Sequence, residues 1–103
     1  MREEPIPLTP RLAARVERDF AEADRGGAIH TLELVDLGIW RATDTPEGRE
    51  RVLAAILVLS AGDDRRLWRE SQEAAKDWRD TLVAAGLENA DWQERLDELL
   101  GPG

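Results

Sequence analysis

The single histidine of this 103-residue chain is followed by acids at steps of three: His30, Glu33 and Asp36. On a helix, that spacing gathers an imidazole and two carboxylates within two turns, half of the donor set a zinc or iron site needs, or the makings of an acid–base pair. Di-iron bundles place Glu-x-x-His on each of two helices; here the order is reversed and occurs once. The competing reading is a histidine at a helix start beside a solvated acidic face. With no cysteine, the chain offers no thiolate nucleophile, no disulfide and no sulfur ligand for zinc, which suits a reducing cytoplasm. Ser60 and Ser71 fall in helical patterns without a Gly-x-Ser-x-Gly elbow, and Gly26-Gly27 lacks the strand and spacing of a dinucleotide loop. These residues assign no catalytic set, no resident metal and no cofactor. A non-enzymatic role is favoured, with a small ligand- or metal-binding helical protein or enzyme built on His30, Glu33 and Asp36 as the alternative.

Large aromatic surface comes from Trp40, Trp68, Trp78 and Trp92, because tyrosine is absent and Phe20 is the only phenylalanine. Tryptophan is enriched at binding hot spots, and it is equally an ordinary core filler whose indole N–H needs one acceptor. Core packing is the expectation for most of the four. Trp40 is the expected exception, near a helix end and just before the linker at 43–46. In Asp77-Trp78-Arg79-Asp80, Arg79 between two acids would suit a charged ligand, but Trp78 as core with a solvated face around it is the favoured reading.

The element that must hold these residues in place is the run Val-Leu-Ala-Ala-Ile-Leu-Val-Leu at 52–59, the most apolar window of the chain. Ala54 and Ala55 favour helix over strand, and eight apolar residues fall far short of a membrane span. Apolar nearly all round, this helix must be enclosed by neighbours or by a second copy of the chain. Before it, Pro5, Pro7 and Pro10 predict an extended lead-in over 1–8, and Thr9 then caps a first helix with Pro10 at its first position. Leu8, Leu12, Val16 and Phe20 form its stripe, Arg15–Asp19 and Arg18–Glu22 pair on its other face, and Gly26-Gly27 ends it near Asp24. A second helix over 28–41 turns Ile29, Leu32, Val35, Ile39 and Trp40 inward and Glu33 and Asp36 outward. Asp44 or Thr45 caps the third, the central helix, which Gly62 stops.

A fourth helix over 64–85 would be about 33 Å long. Trp68, Ser71, Ala75, Trp78, Leu82 and Ala85 alternate spacings of three and four along it, a coiled-coil-like seam. Gly86 ends it, and Asn89 or Asp91 caps a last helix with Trp92, Leu96, Leu99 and Leu100 inward. The pattern Asp-Trp-x-acid-x-Leu occurs at 77–82 and again at 91–96, and is expected at opposite ends of two helices.

The 42% hydrophobic and 35% charged fractions, with the apolar residues periodic, describe a folded single domain over 9–101 rather than a disordered chain. A net charge of −8 repels phosphate backbones, so nucleic acid is not expected as a partner; neither is a membrane, and residues 1–10 show no export signal. Lys76 is the only lysine among 14 basic residues, a bias that suits a GC-rich bacterial genome.

Ala54-Ala55-Ile56-Leu57, Gly62-Asp63, Asp77-Trp78-Arg79-Asp80, the stretch from Leu82 to Leu87 and Asp91-Trp92 together resemble an uncharacterised family of small helical bacterial proteins. The resemblance covers about half the chain and implies an all-helical fold, with no activity attached.

The sequence thus predicts an all-α single domain, a four- to five-helix antiparallel bundle acting as an acidic protein-interaction module. Its apolar helix surface exceeds what one small bundle obviously hides, so a protein partner or a homodimer is expected. The contact would use the 52–59 face or the Trp68 to Leu82 seam, with Trp40, Trp68, Trp78 and Trp92 as the interaction residues.

Overall fold

The computed structural model describes residues 7–35 and 46–101, and among them six helices and no strand. The first, α1 (Pro10–Asp19), begins as expected: the Thr9 hydroxyl accepts the Leu12 N–H and Pro10 occupies the first helical position. Leu12, Val16 and Phe20 are buried, and Leu8 packs partly against them. The helix stops five residues earlier than predicted, because Phe20 swings into an extended conformation (φ −109°, ψ 145°) that drives its ring into the core. Arg25 holds this corner by donating from Nε to the Phe20 carbonyl at 3.1 Å.

Gly26 and Gly27, expected to end α1, lie inside α2 (Glu22–Leu34). Each glycine costs a helix roughly 1 kcal/mol against alanine. Two features outweigh that cost: Glu22 and Asp24 sit in the first turn, where the helix dipole favours acids, and Ala28 and Leu32 are buried farther along. α2 therefore starts six residues before its predicted beginning. Its predicted last turns, with Ile39 and Trp40, and the caps Asp44 and Thr45, lie outside the described residues.

The hub is α3 (Pro46–Ser60), and α1, α4, α5 and α6 all pack on it. Val52 to Leu57 are each 2% exposed or less. The chain's own helices thus enclose residues 52–57 of the apolar run, while Val58 and Leu59 at its end are half-buried. Ala61 and Gly62 turn the chain in left-handed conformation (φ 52° and 80°), and glycine is required at 62 because a Cβ there would stand 2.5 Å from the Asp19 carbonyl oxygen.

Asp63 caps α4 (Asp64–Lys76), its carboxylate accepting the N–H groups of Arg65 and Arg66. The single long helix predicted over 64–85 is two, α4 and α5 (Trp78–Ala85), broken at Asp77. Asp77 donates its N–H to the Glu73 carbonyl, closing α4, while its side chain accepts the Arg79 N–H and opens α5. A short acid competing for backbone N–H groups is how Asp interrupts helices. The seam is corrected too. α4 buries Leu67, Ser71 and Ala74, so Trp68 and Ala75 face outward. Gly86 ends α5 in left-handed conformation; its N–H bonds the Val83 carbonyl, and the Leu87 N–H bonds that of Leu82 with Leu87 fully buried.

Asp91 and α6 (Trp92–Leu100) complete the fold. The repeated Asp-Trp-x-acid-x-Leu pattern marks two helix starts, not opposite helix ends. In both copies the Asp is the cap residue, the Trp is the first helical residue, the acid (Asp80 or Glu94) lies in the first turn, and the Leu (Leu82 or Leu96) enters the core. No helix among the described residues is long and apolar enough to cross a membrane.

Candidate functional site

His30 is exposed on α2, Glu33 is half-buried, and Asp36 lies outside the described residues. No group of three or more His, Asp or Glu side chains that could hold a metal ion occurs among the described residues. Ser60 and Ser71 are buried, and each hydroxyl donates to a carbonyl of its own helix, Leu57 at 2.7 Å and Leu67 at 2.8 Å. Their protons are committed to the backbone, away from solvent. Arg79 turns back on Asp77, Nε to Oδ1 at 3.1 Å, and that hydrogen bond holds the Asp77 carboxyl below the usual range.

The charged groups that do converge lie where α1, α3 and α6 meet. Glu50 is buried, at 7% exposed, and both its oxygens are occupied. Arg11 grips it with two guanidinium nitrogens, Nη2 to Oε1 at 2.7 Å and Nε to Oε2 at 3.1 Å, and the Thr9 hydroxyl donates to Oε2. The third nitrogen of Arg11 reaches Asp97 at 2.6 Å and the Gly101 carbonyl at 3.1 Å. Burial pushes the Glu50 carboxyl up, but the hydrogen bonds from Arg11 and Thr9 outweigh it and leave the group below the ordinary glutamate range. Those to Glu50 and Asp97 raise Arg11 above the usual arginine range. These residues border a cleft of about 830 Å³ whose other walls include Pro10, Ala14 and Leu100. One arginine thus serves two carboxylates across the cleft and ties α1 to both α3 and α6.

The same use of arginine recurs elsewhere. Arg15 donates to Asp19 at 2.6 Å and to the Leu99 carbonyl at the end of α6, and Arg49 donates to the carbonyls of Leu32 and Val35 at the end of α2. Arg51 donates to the Leu87 carbonyl at 2.8 Å and lies 4.7 Å above the centre of the Trp92 ring. Helix C-termini leave carbonyls without intrahelical partners, and a guanidinium satisfies both the lone pairs and the dipole. Trp92 and Trp78 are half-buried against the core, in line with core packing, and Trp40 lies outside the described residues.

Trp68 differs: it is 60% exposed, which only Val83 matches among the large apolar side chains described. Arg65, Arg69, Gln72 and Lys76 share its face of α4, all exposed and opposite the buried Leu67, Ser71 and Ala74. Arg65, Arg66 and Arg69 form no ion pair among the described residues, whereas Lys76 is 3.4 Å from Glu73. Between this face and α2 runs a groove of about 280 Å³, lined by Ala23, Gly27, Ala28, Thr31, Leu67 and Trp68, with Asp24 and Asp64 also on its wall. The seam pattern sets Trp68 inward as well as among the expected interaction residues; the spacing of Arg65, Arg69, Gln72 and Lys76 is the polar stripe that an inward Leu67 leaves exposed.

A scan of family models, a search of curated proteins and a search of solved structures each find no match to this chain. Of what the resemblance implied, the small all-helical architecture is observed, and no family is assigned.

Proposed function

We propose that this chain is a non-enzymatic protein-interaction module that works in a reducing bacterial cytoplasm and makes its contact through the outer face of α4. The observation that supports this reading is the exposure of Trp68 beside a groove of small residues. A large aromatic left in water forfeits roughly 1.5–3 kcal/mol of burial, and a partner that covers it recovers that energy. The chemistry of the rest of the molecule points the same way: the buried Ser60 and Ser71 hydroxyls donate to backbone carbonyls, and the charge cluster around Glu50 is engaged in holding α1, α3 and α6 together.

The test is capture of partners from the native cell on the wild-type chain and on Trp68→Ala. A partner retained by the first and lost by the second is the expected result. Equal capture by both would remove α4 from the interaction, and a measured turnover on any small substrate would remove the non-enzymatic reading.

A further inference from the structure

Resting on the reading of α4 as the contact face, we infer that the partner is an acidic protein segment carrying a large apolar side chain, which seats in the α2–α4 groove while its carboxylates meet Arg65 and Arg69. Charge decides the occupant. The chain as a whole carries −8, yet α4 holds Arg65, Arg66, Arg69 and Lys76 against Asp64, Glu70 and Glu73, so its outer face is a local basic stripe on an acidic molecule. An acidic partner is repelled by most faces and attracted by this one, which fixes where it lands.

A second copy of the chain suits the face less well. A two-fold contact pairs each patch with itself, so Arg65 and Arg69 of both molecules would be brought together around the two Trp68 rings. Single-stranded nucleic acid would also stack on Trp68 and neutralise the arginines, but one exposed ring on a stripe about 17 Å long is a poor track for a polyphosphate that the remaining surface repels.

The groove supplies the apolar half of the recognition. Its floor is Ala23, Gly27 and Ala28, and a Cβ built at Gly27 meets nothing within 4 Å, so the space above the glycine is free for a side chain from outside. Asp24 and Asp64 on the groove wall oppose a carboxylate there. The apolar residue therefore belongs in the groove, and the acids belong on the outer stripe.

The experiment uses fluorescence anisotropy of synthetic helical peptides of about four turns. One carries a Glu and Leu stripe, one replaces Glu by Gln, and one replaces Leu by Ala; a labelled oligo-dT serves as the nucleic-acid probe. The Glu and Leu peptide is expected to bind, and each replacement to weaken it by about tenfold or more. The double variant Arg65→Glu with Arg69→Glu, the single variant Trp68→Ala, and Gly27→Leu, which fills the groove, are expected to lose affinity by a similar factor. Circular dichroism checks that the helices remain, since all four positions are exposed.

Absence of peptide binding, or equal binding of the Glu and Gln peptides, overturns the acidic partner. Tighter binding of oligo-dT than of any peptide overturns it in favour of nucleic acid, and a two-chain mass by light scattering that falls to one chain in Trp68→Ala does so in favour of self-association. If the peptides fail while Trp68-dependent capture from the native cell persists, the partner chemistry is wrong and the interaction reading survives. If the capture is equal on both chains, the interaction reading itself has failed.

Discussion

Arginine does two different jobs on the two sides of this molecule. Around α1, α3 and α6, Arg11, Arg15 and Arg51 are partly buried, and every one of them reaches a backbone carbonyl at or just beyond the end of another helix. On the outer face of α4, Arg65 and Arg69 are exposed, and their side chains form no ion pair among the described residues. The first set cross-links helices that lie far apart in sequence; the second leaves its charge available to solvent or to a partner. Residue type does not separate the two, and what does is whether the helix phase turns the guanidinium toward another helix's end.

The sharpest way to break this contrast is Arg11→Ala. It strands the buried Glu50 carboxylate with Thr9 as its remaining partner, and removing one member of a buried pair costs about 3–5 kcal/mol. Urea denaturation at neutral pH is the measurement, with an unchanged midpoint as the contrary result. The pH dependence sharpens it further. In the wild type the folded Glu50 lies below its ordinary value of 4.5, so its contribution is full at neutral pH and is lost as pH falls below about 4.5. In Arg11→Ala burial acts with less opposition and raises that carboxyl, so this part of the slope is expected to change sign and acidification to relieve the variant.

A smaller effect is expected for Arg51→Ala, which loses the bond to the Leu87 carbonyl and the stacking on Trp92, together about 1–2 kcal/mol. A thermal melt would read it, and quenching of Trp92 by added iodide should rise as the ring loses its cover. Smallest of all is Trp68→Ala, expected to change stability by less than about 0.5 kcal/mol because the side chain is mostly in water. A loss comparable to that of Arg11→Ala would place Trp68 in the core and erase the contrast.

Much of the architecture was legible in the sequence. The Leu12, Val16 and Phe20 stripe was readable because Thr9-Pro10 fixed the helix start, and the central run was readable because its only solution is burial. Two adjacent apolar residues, Leu67 and Trp68, defeated the reading of α4. Either can lead a three-four pattern, and the choice is made by the small space beneath the helix, which accepts leucine and which the sequence does not display. Gly26-Gly27 reads as a helix stop in the sequence because local propensity is visible there and the compensating burial of Ala28 and Leu32 is not. The break at Asp77 was within reach. Asp77 stands to Trp78 and Asp80 as Asp91 stands to Trp92 and Glu94, and reading the second as a helix start gave grounds to read the first the same way. The cluster around Glu50 joins positions 39 and 86 residues apart in sequence, a distance over which charge pairing leaves no periodic trace. Chemistry at His30, Glu33 and Asp36 depends on side-chain convergence, which spacing alone does not display, and Asp36 lies outside the described residues.

The hold that Arg11 keeps on Gly101 brings the beginning and the end of the described chain to one cleft, with Thr9 on the same wall. A short linker from Gly101 to Thr9 would span little space, and the exposed turn at Asn89 and Ala90 offers a place to open the chain instead. Such a rearranged chain would carry its new termini at that turn, with every helix intact and the order of the elements changed.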